Sequence, residues 1–256
     1  MHHWTKTLFA IAAPLLLTGC LWGPGKFQSD LTLKKDGSFT LDYRGEIVLQ
    51  VPPDATSEAW ADSKAKCSDG DKDRACTKAE IAEQKDAYEK KRKDSENMAK
   101  VFGLPGLDDA SNQAFAAKLM KYAGWRSVTY RGKGVFDVDY HFVGRATQDF
   151  LFPALPDNNM IIPFIAIRRR ADGAVLVTAP AFTGGAGPMG PAAAGAGDMG
   201  KGGPMSRAEG RFTVVTDGEI LTNNSEDGAA PNPVGRQVHW DVGPTSSKIP
   251  ETLIRL

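Results

Sequence analysis

With three cysteines, four histidines and a net charge of zero, this 256-residue chain has little material for several kinds of chemistry. Lys plus Arg and Asp plus Glu both number 31. Such balance speaks against nucleic acid as a partner and against a polybasic grip on anionic lipid, both of which need clustered cations. The sequence has no G-x-S-x-G nucleophile elbow and no H-E-x-x-H zinc helix. It also has no apolar run long enough to cross a bilayer. The longest, Leu8 to Leu17, is roughly half of the ~20 residues a spanning helix requires. These gaps remove most positive signals for catalysis and leave the question of what the chain carries instead.

That apolar run has a single cation ahead of it, Lys6, and it leads into Leu17-Thr18-Gly19-Cys20. A basic start, a short apolar core and small residues before the cut form a secretory signal peptide, residues 1–19. Leu17-Thr18-Gly19-Cys20 resembles the lipobox of bacterial lipoproteins. The resemblance implies that the Cys20 thiol receives a diacylglycerol, that cleavage falls just before it, and that the new amine is acylated. An ordinary signal peptide with a chance cysteine, or a free N-terminal helix, is the alternative. Processing leaves residues 20–256, 237 in all, enough for one large domain or one domain with an insertion. With 30 basic against 31 acidic side chains once Lys6 is removed, the mature chain would hold the membrane through its acyl chains, two or more of which give stable anchoring. Leu21 after the lipidated Cys, in place of a retaining Asp, points to the outer membrane of a Gram-negative bacterium, facing the periplasm.

Leu21 to Gly25 reads as a short tether. From Lys26 to Val51 the texture is a β-hairpin, with Phe27, Leu31, Leu33 and then Phe39, Leu41, Tyr43 on either side of Lys35-Asp36-Gly37. Residues 54–123 change character: β-branched residues nearly vanish, and Ala, Lys, Glu and Asp take over. Thr77 and Glu80 form a capping box that predicts a helix to about Lys100. A second helix near Asn112 to Tyr122 has Phe115, Leu119 and Met120 at core-facing spacing. Strands are predicted again over Trp125 to Tyr130, Gly134 to Val143, Met160 to Arg169, Ala174 to Phe182, Phe212 to Leu221, Arg236 to Val242 and Thr252 to Leu256. Asp172-Gly173 and Asp217-Gly218 supply turns. Residues 183–204 are rich in Gly, Ala, Pro and Met and predict a flexible loop. The fold expected is α+β: an antiparallel meandering sheet with a helical insertion over 54–123 and a flexible Gly-rich loop, in a single periplasmic domain.

Three groups of residues invite a chemical reading. Once Cys20 is assigned to lipid, Cys67 and Cys76 form an even pair, and an oxidising periplasm makes a disulfide the default. Asp69, Asp71 and Asp73 stand at positions 1, 3 and 5 of an EF-hand-like loop, with Glu80 at position 12. Arg74 occupies the position where that loop turns on Gly, so at most a weak calcium site is expected there, and no other cofactor. The bland alternative is a polar disulfide-closed loop with Glu80 serving the helix cap. Asp137, Asp139 and His141 alternate along one strand and share a face, an arrangement open to a metal or to acid–base work. It is equally what a half-exposed antiparallel strand looks like, with Phe136, Val138, Tyr140 and Phe142 opposite. Gly195 to Lys201 matches G-x-G-x-x-G and most of a P-loop. Gly202 replaces the Ser or Thr that holds magnesium, and no helix start follows, so the match is a product of composition.

Beyond the lipobox, the order of parts resembles LppM-type lipoproteins: a hairpin just after the lipidated Cys, here Lys26 to Val51, then helices and an antiparallel sheet, with a late Trp-bearing strand, Gln237-Val238-His239-Trp240. The resemblance implies an apolar groove for envelope glycolipids between sheet and helix, and transfers no binding residues. The expectation is a membrane-anchored, non-enzymatic binding module for an envelope lipid or partner protein. The alternatives are a structural or assembly component of the envelope and a periplasmic hydrolase. An apolar pocket, an exposed apolar patch or a cleft around His141 would distinguish them in turn.

Overall fold

Strand β1 (Leu21–Leu33) turns through Lys34 to Gly37 into β2 (Ser38–Gln50), and this long hairpin is the spine of the molecule. The computed structural model describes residues 21–50, 60–69, 72–101, 108–154, 163–183 and 208–256. Residues 1–19, expected as a signal peptide, together with Cys20, Asp71 and residues 184–204 of the Gly-rich stretch, fall outside them. At the turn, Gly37 adopts φ +80°, and the Asp36 carboxylate accepts hydrogen bonds from the Ser38 amide and hydroxyl. These bonds hold the Asp36 carboxyl below the ordinary carboxylate range.

Leu21 to Gly25 is not a tether. It is the first part of β1, paired with Ile47 to Gln50, and Trp22 is buried. The register shifts between Pro24 and Phe27, where one extra residue bulges out. That bulge resets the alternation, so Trp22 and Phe27 face the same side despite their odd spacing, and a strict period of two misses it. Gly45 lies across from the bulge at φ +151°, where an added Cβ would come within 2.6 Å of the Phe27 Cα.

After the insertion come β5 (Trp125–Gly132) and β6 (Val135–Arg145), and β6 pairs with β2. Later strands β10 (Glu209–Thr216), β12 (Ala230–Asn232) and β13 (Gly235–Val242) join the other side. The resulting seven-stranded sheet runs β12-β13-β10-β1-β2-β6-β5. Its β1–β10 pair is parallel, so the arrangement is not a pure meander.

A second sheet was not expected. It contains β7 (Phe150–Phe152), β8 (Ile165–Arg169), β9 (Val175–Thr178), β11 (Glu219–Asn223) and β14 (Glu251–Arg255), in the order β11-β14-β9-β8-β7. Asp172-Gly173 makes the hairpin predicted between β8 and β9. Asp217-Gly218 instead joins β10 in the large sheet to β11 in the small one, a corner between sheets rather than a hairpin. The two sheets meet through stacked and tilted rings, including Phe142 on Phe150 with centroids 5.0 Å apart and Tyr43 on Phe152 at 5.1 Å. Buried Tyr43 donates its hydroxyl to the Glu46 carbonyl, and burial drives its pKa well above the usual tyrosine value.

The insertion between β2 and β5 carries a two-stranded ribbon, β3 (Cys67–Asp69) with β4 (Lys72–Arg74), then helices α1 (Lys78–Val101) and α2 (Asp109–Leu119). The described residues are thus mostly β with two α-helices, an α+β arrangement with a helical insertion. No described residue of α1 belongs to the hydrophobic core. Helix α2 does belong to it, through Phe115, Ala116 and Leu119, whereas Met120, predicted to face the core, is 44% exposed. It forms the C-cap just past Leu119, still in the right-handed helical region at φ −60°, and its side chain lies at the margin of the buried stripe of Asn112, Phe115, Ala116 and Leu119.

Candidate functional site

Along β6, Phe136, Val138 and Tyr140 alternate onto the inner face of the large sheet. The small sheet covers one part of that face, with Tyr140 against Phe152 at 4.5 Å. At the end where β1 begins, α2 takes over the cover. Trp22, Phe115 and Phe136 form a ring triangle there, with Trp22 at 5.4 Å from each of the others and Phe115 6.2 Å from Phe136. Helix α2 is set in place by its N-cap Asp108, which accepts from the Ser111 amide at 2.9 Å and the Ser111 hydroxyl at 2.6 Å. Those bonds hold the Asp108 carboxyl below its ordinary value. From β5, the Tyr130 hydroxyl donates to Asp109 at 2.7 Å, and burial raises its pKa.

Two buried polar atoms on this seam lack a hydrogen-bond partner: the Trp22 Nε1 donor and the Asn112 Oδ1 acceptor. Trp22 is 4% exposed and Asn112 3%. The Asn112 amide nitrogen is used, donating to the Asp108 carbonyl at 3.0 Å and reaching the Tyr130 hydroxyl at 3.4 Å. An unpartnered buried donor or acceptor costs about 1–3 kcal/mol, so two at one junction set this place apart. Asn112 appeared in the sequence only as a helix boundary and Trp22 as part of a tether. The bulge that turns Trp22 inward leaves no periodic signature, whereas Asn112 stands at helical spacing with Phe115, Ala116 and Leu119 and is masked as a core position only by its polar side chain.

The residues singled out for chemistry are placed elsewhere. Cys67 and Cys76 are joined in a disulfide. The β3–β4 ribbon pairs Asp69 with Lys72 and Ser68 with Asp73, so Asp69 and Asp73 project from opposite faces and do not converge. Glu80 is held by Arg74, whose guanidinium donates to both carboxylate oxygens at 2.6 and 3.0 Å, and by Thr77. The Thr77 amide donates to Glu80 at 2.8 Å and the Glu80 amide to the Thr77 hydroxyl at 3.3 Å, the reciprocal bonds of a capping box. The guanidinium and these bonds bring the Glu80 pKa down to about 2. Arg74, which sits where a calcium loop needs Gly, instead binds the carboxylate that would have filled position 12. Among the described residues no group of three or more His, Cys, Asp or Glu is placed to hold a metal; Asp71 lies outside them.

Asp137, Asp139 and His141 share the outer face of the large sheet, and each meets a partner on a neighbouring strand. Asp137 pairs with Arg131, Asp139 with Arg44 at 3.7 Å, and the His141 Nδ1 lies 2.8 Å from Asp42. This is a ladder of cross-strand pairs rather than a cleft. His239 is engaged separately by Asp227 at 3.2 Å. Two surface hollows are charged rather than apolar. One of about 410 Å³ runs along α1 among Asp86, Lys90 and Asp94, and one of about 260 Å³ lies between Lys35, Asp36, Arg169 and Arg255.

The chain matches no protein-family model and no curated protein. Among solved structures, the folded domain of LppM from Mycobacterium tuberculosis aligns over 92% of this chain and 91% of its own, at 11% identity and a TM-score of 0.22. A score that low carries neither fold nor function across. No helix among the described residues is long and apolar enough to cross a membrane.

Proposed function

We propose that the protein is an envelope lipoprotein, acylated at Cys20 and facing the periplasm from the outer membrane, that binds an amphipathic ligand of the envelope without transforming it. The observation that carries this reading is the seam under α2. There an apolar wall of Trp22, Phe115 and Phe136 adjoins an unpartnered donor and an unpartnered acceptor. Apolar side chains beside a few polar groups are the chemistry that orients a lipid with an ester or hydroxyl head. In this reading α2 lifts from the sheet to admit the apolar part of the ligand against rings that are otherwise buried, and the polar group of the ligand meets Trp22 Nε1 and Asn112 Oδ1. The hydrolase reading has less to stand on: Asp137, Asp139 and His141 pair across strands on an open sheet face, although the buried Asp139 Oδ1 lacks a partner.

Native mass spectrometry tests the proposal. The protein is exported in soluble form with Cys20 replaced, and its mass is read before and after addition of envelope lipids. Trp22→Phe removes the free N–H and keeps an aromatic ring. We expect bound lipid on the parent protein and a loss of most of it from Trp22→Phe, with the fold intact by circular dichroism. A bare mass for the parent at every lipid concentration would sink the binding role and leave a structural or assembly part in the envelope.

A further inference from the structure

The junction between anchor and fold contains no spacer, and this fixes which end of the molecule meets the membrane. Cys20 is followed directly by Leu21, and Leu21 is already in the ladder, opposite Gln50. Consecutive Cα atoms are about 3.8 Å apart, so an acylated Cys20 would hold the first rung of the sheet at headgroup level. From the register, the turn between β5 and β6 lies at this same end: Val135 pairs with both Val48 and Gly132, and the Leu49 amide donates to the Gly134 carbonyl at 2.7 Å. The opposite hairpin tip, with Lys35, is 13 strand residues away from Leu21, roughly 40 Å at about 3.3 Å per residue.

We propose that the sheet end formed by Leu21, Gln50 and the β5–β6 turn docks on the phospholipid headgroups of the bilayer, leaving the Lys35 turn as the distal pole. The proposal rests on acylation of Cys20 and adds the orientation that acylation alone does not give. Lys133, exposed at the tip of the near turn, has φ +52°, the one non-glycine residue with positive φ among those described. Glycines on both sides of it, Gly132 at φ +92° and Gly134 at φ +75°, make the tight turn possible. Its ammonium stands where lipid phosphates would be. Asp108 and Asp109 at the start of α2 bring negative charge to the same end, Asp109 being taken up by Tyr130. Contact is therefore set by the short junction rather than by a strong field. The buried seam holding Trp22 and Asn112 then lies at the end nearest the bilayer, the source of the proposed ligand.

The test uses the full acylated chain in vesicles of phosphatidylethanolamine and phosphatidylglycerol containing headgroup spin-labelled lipid. With Cys20 acylated and Cys67 joined to Cys76, a newly introduced cysteine is the single free thiol. A fluorophore on Lys133→Cys should lose most of its emission to the spin label, and the same fluorophore on Lys35→Cys should keep nearly all of it. A ~10-residue Gly-Ser spacer between Cys20 and Leu21, with an r.m.s. span of about 16–19 Å, should erase most of the difference. Equal quenching at the two tips, or stronger quenching at Lys35, would overturn the orientation while the anchor stands. Failure of the protein to float with the vesicles would overturn the anchor, and the two failures are thus told apart.

Discussion

Glu80 shows how one side chain can match two motifs. Its spacing from Asp69 fits a calcium loop, and its spacing from Thr77 fits a capping box. The structure gives its carboxylate to Arg74 and to the start of α1. Because its folded pKa, about 2, lies below the ordinary glutamate value of about 4.3, the stability it lends is complete above roughly pH 5. It is lost as pH falls through about 4 toward 2. Amide hydrogen exchange over the first turns of α1 should therefore speed up across that window. In Glu80→Gln, where the amide can still close the capping box, the acid-dependent step should vanish. An unchanged step in the variant would assign it to another group.

Elements differ in how much of themselves they showed in sequence. The β1–β2 and β8–β9 hairpins were legible because Asp-Gly turns stood between alternating apolar residues. Asp217-Gly218 carried the same signal and proved to be a corner, since a turn motif fixes a change of direction and not the partner of the next strand. The three-residue strands β7 and β12 are too short for any period to register. The parallel pairing of β1 with β10 depends on contacts nearly two hundred residues apart, beyond the reach of local pattern. In the site, the ring of Phe115 was visible as core, while Trp22 was hidden by the bulge at Gly25 and Lys26.

Helix α2 and the β3–β4 ribbon should respond to damage in opposite ways. Phe115 lies within the Trp22 and Phe136 rings, so Phe115→Ala should destabilise the domain by about 3–5 kcal/mol in urea unfolding. Met120→Ala, one residue past the helix, should stay within about 0.5 kcal/mol. Equal effects would mean that α2 does not seal the sheet. The Cys67–Cys76 bond closes a short loop outside the core, worth about 2–3 kcal/mol to that loop by chain entropy. Its reduction should loosen amide protection from residues 66 to 84, where Gln84 clasps Lys66, and leave the main thermal transition in place. A large fall in that transition would contradict the separation of ribbon and core.

For the whole molecule, two sheets and a short helix enclose one aromatic core, and the N-terminal residue of the first strand is the one next to Cys20. The proposed anchor, the sheet end and the seam under α2 would thereby be collected at one pole, with the charged hollow near Lys35 and Arg255 beyond the β1–β2 turn at the other. Both the proposed ligand and the proposed orientation depend on the lipid at Cys20. The measurement that tests this most directly is the mass of the N-terminal peptide from protein extracted from membranes of a producing bacterium. The account predicts a chain that begins at Cys20 and carries a diacylglyceryl thioether, with an acylated amine, and a Cys20→Ser variant left uncleaved and without lipid. A mature chain that begins elsewhere, or one whose Cys20 bears a free thiol, would contradict it.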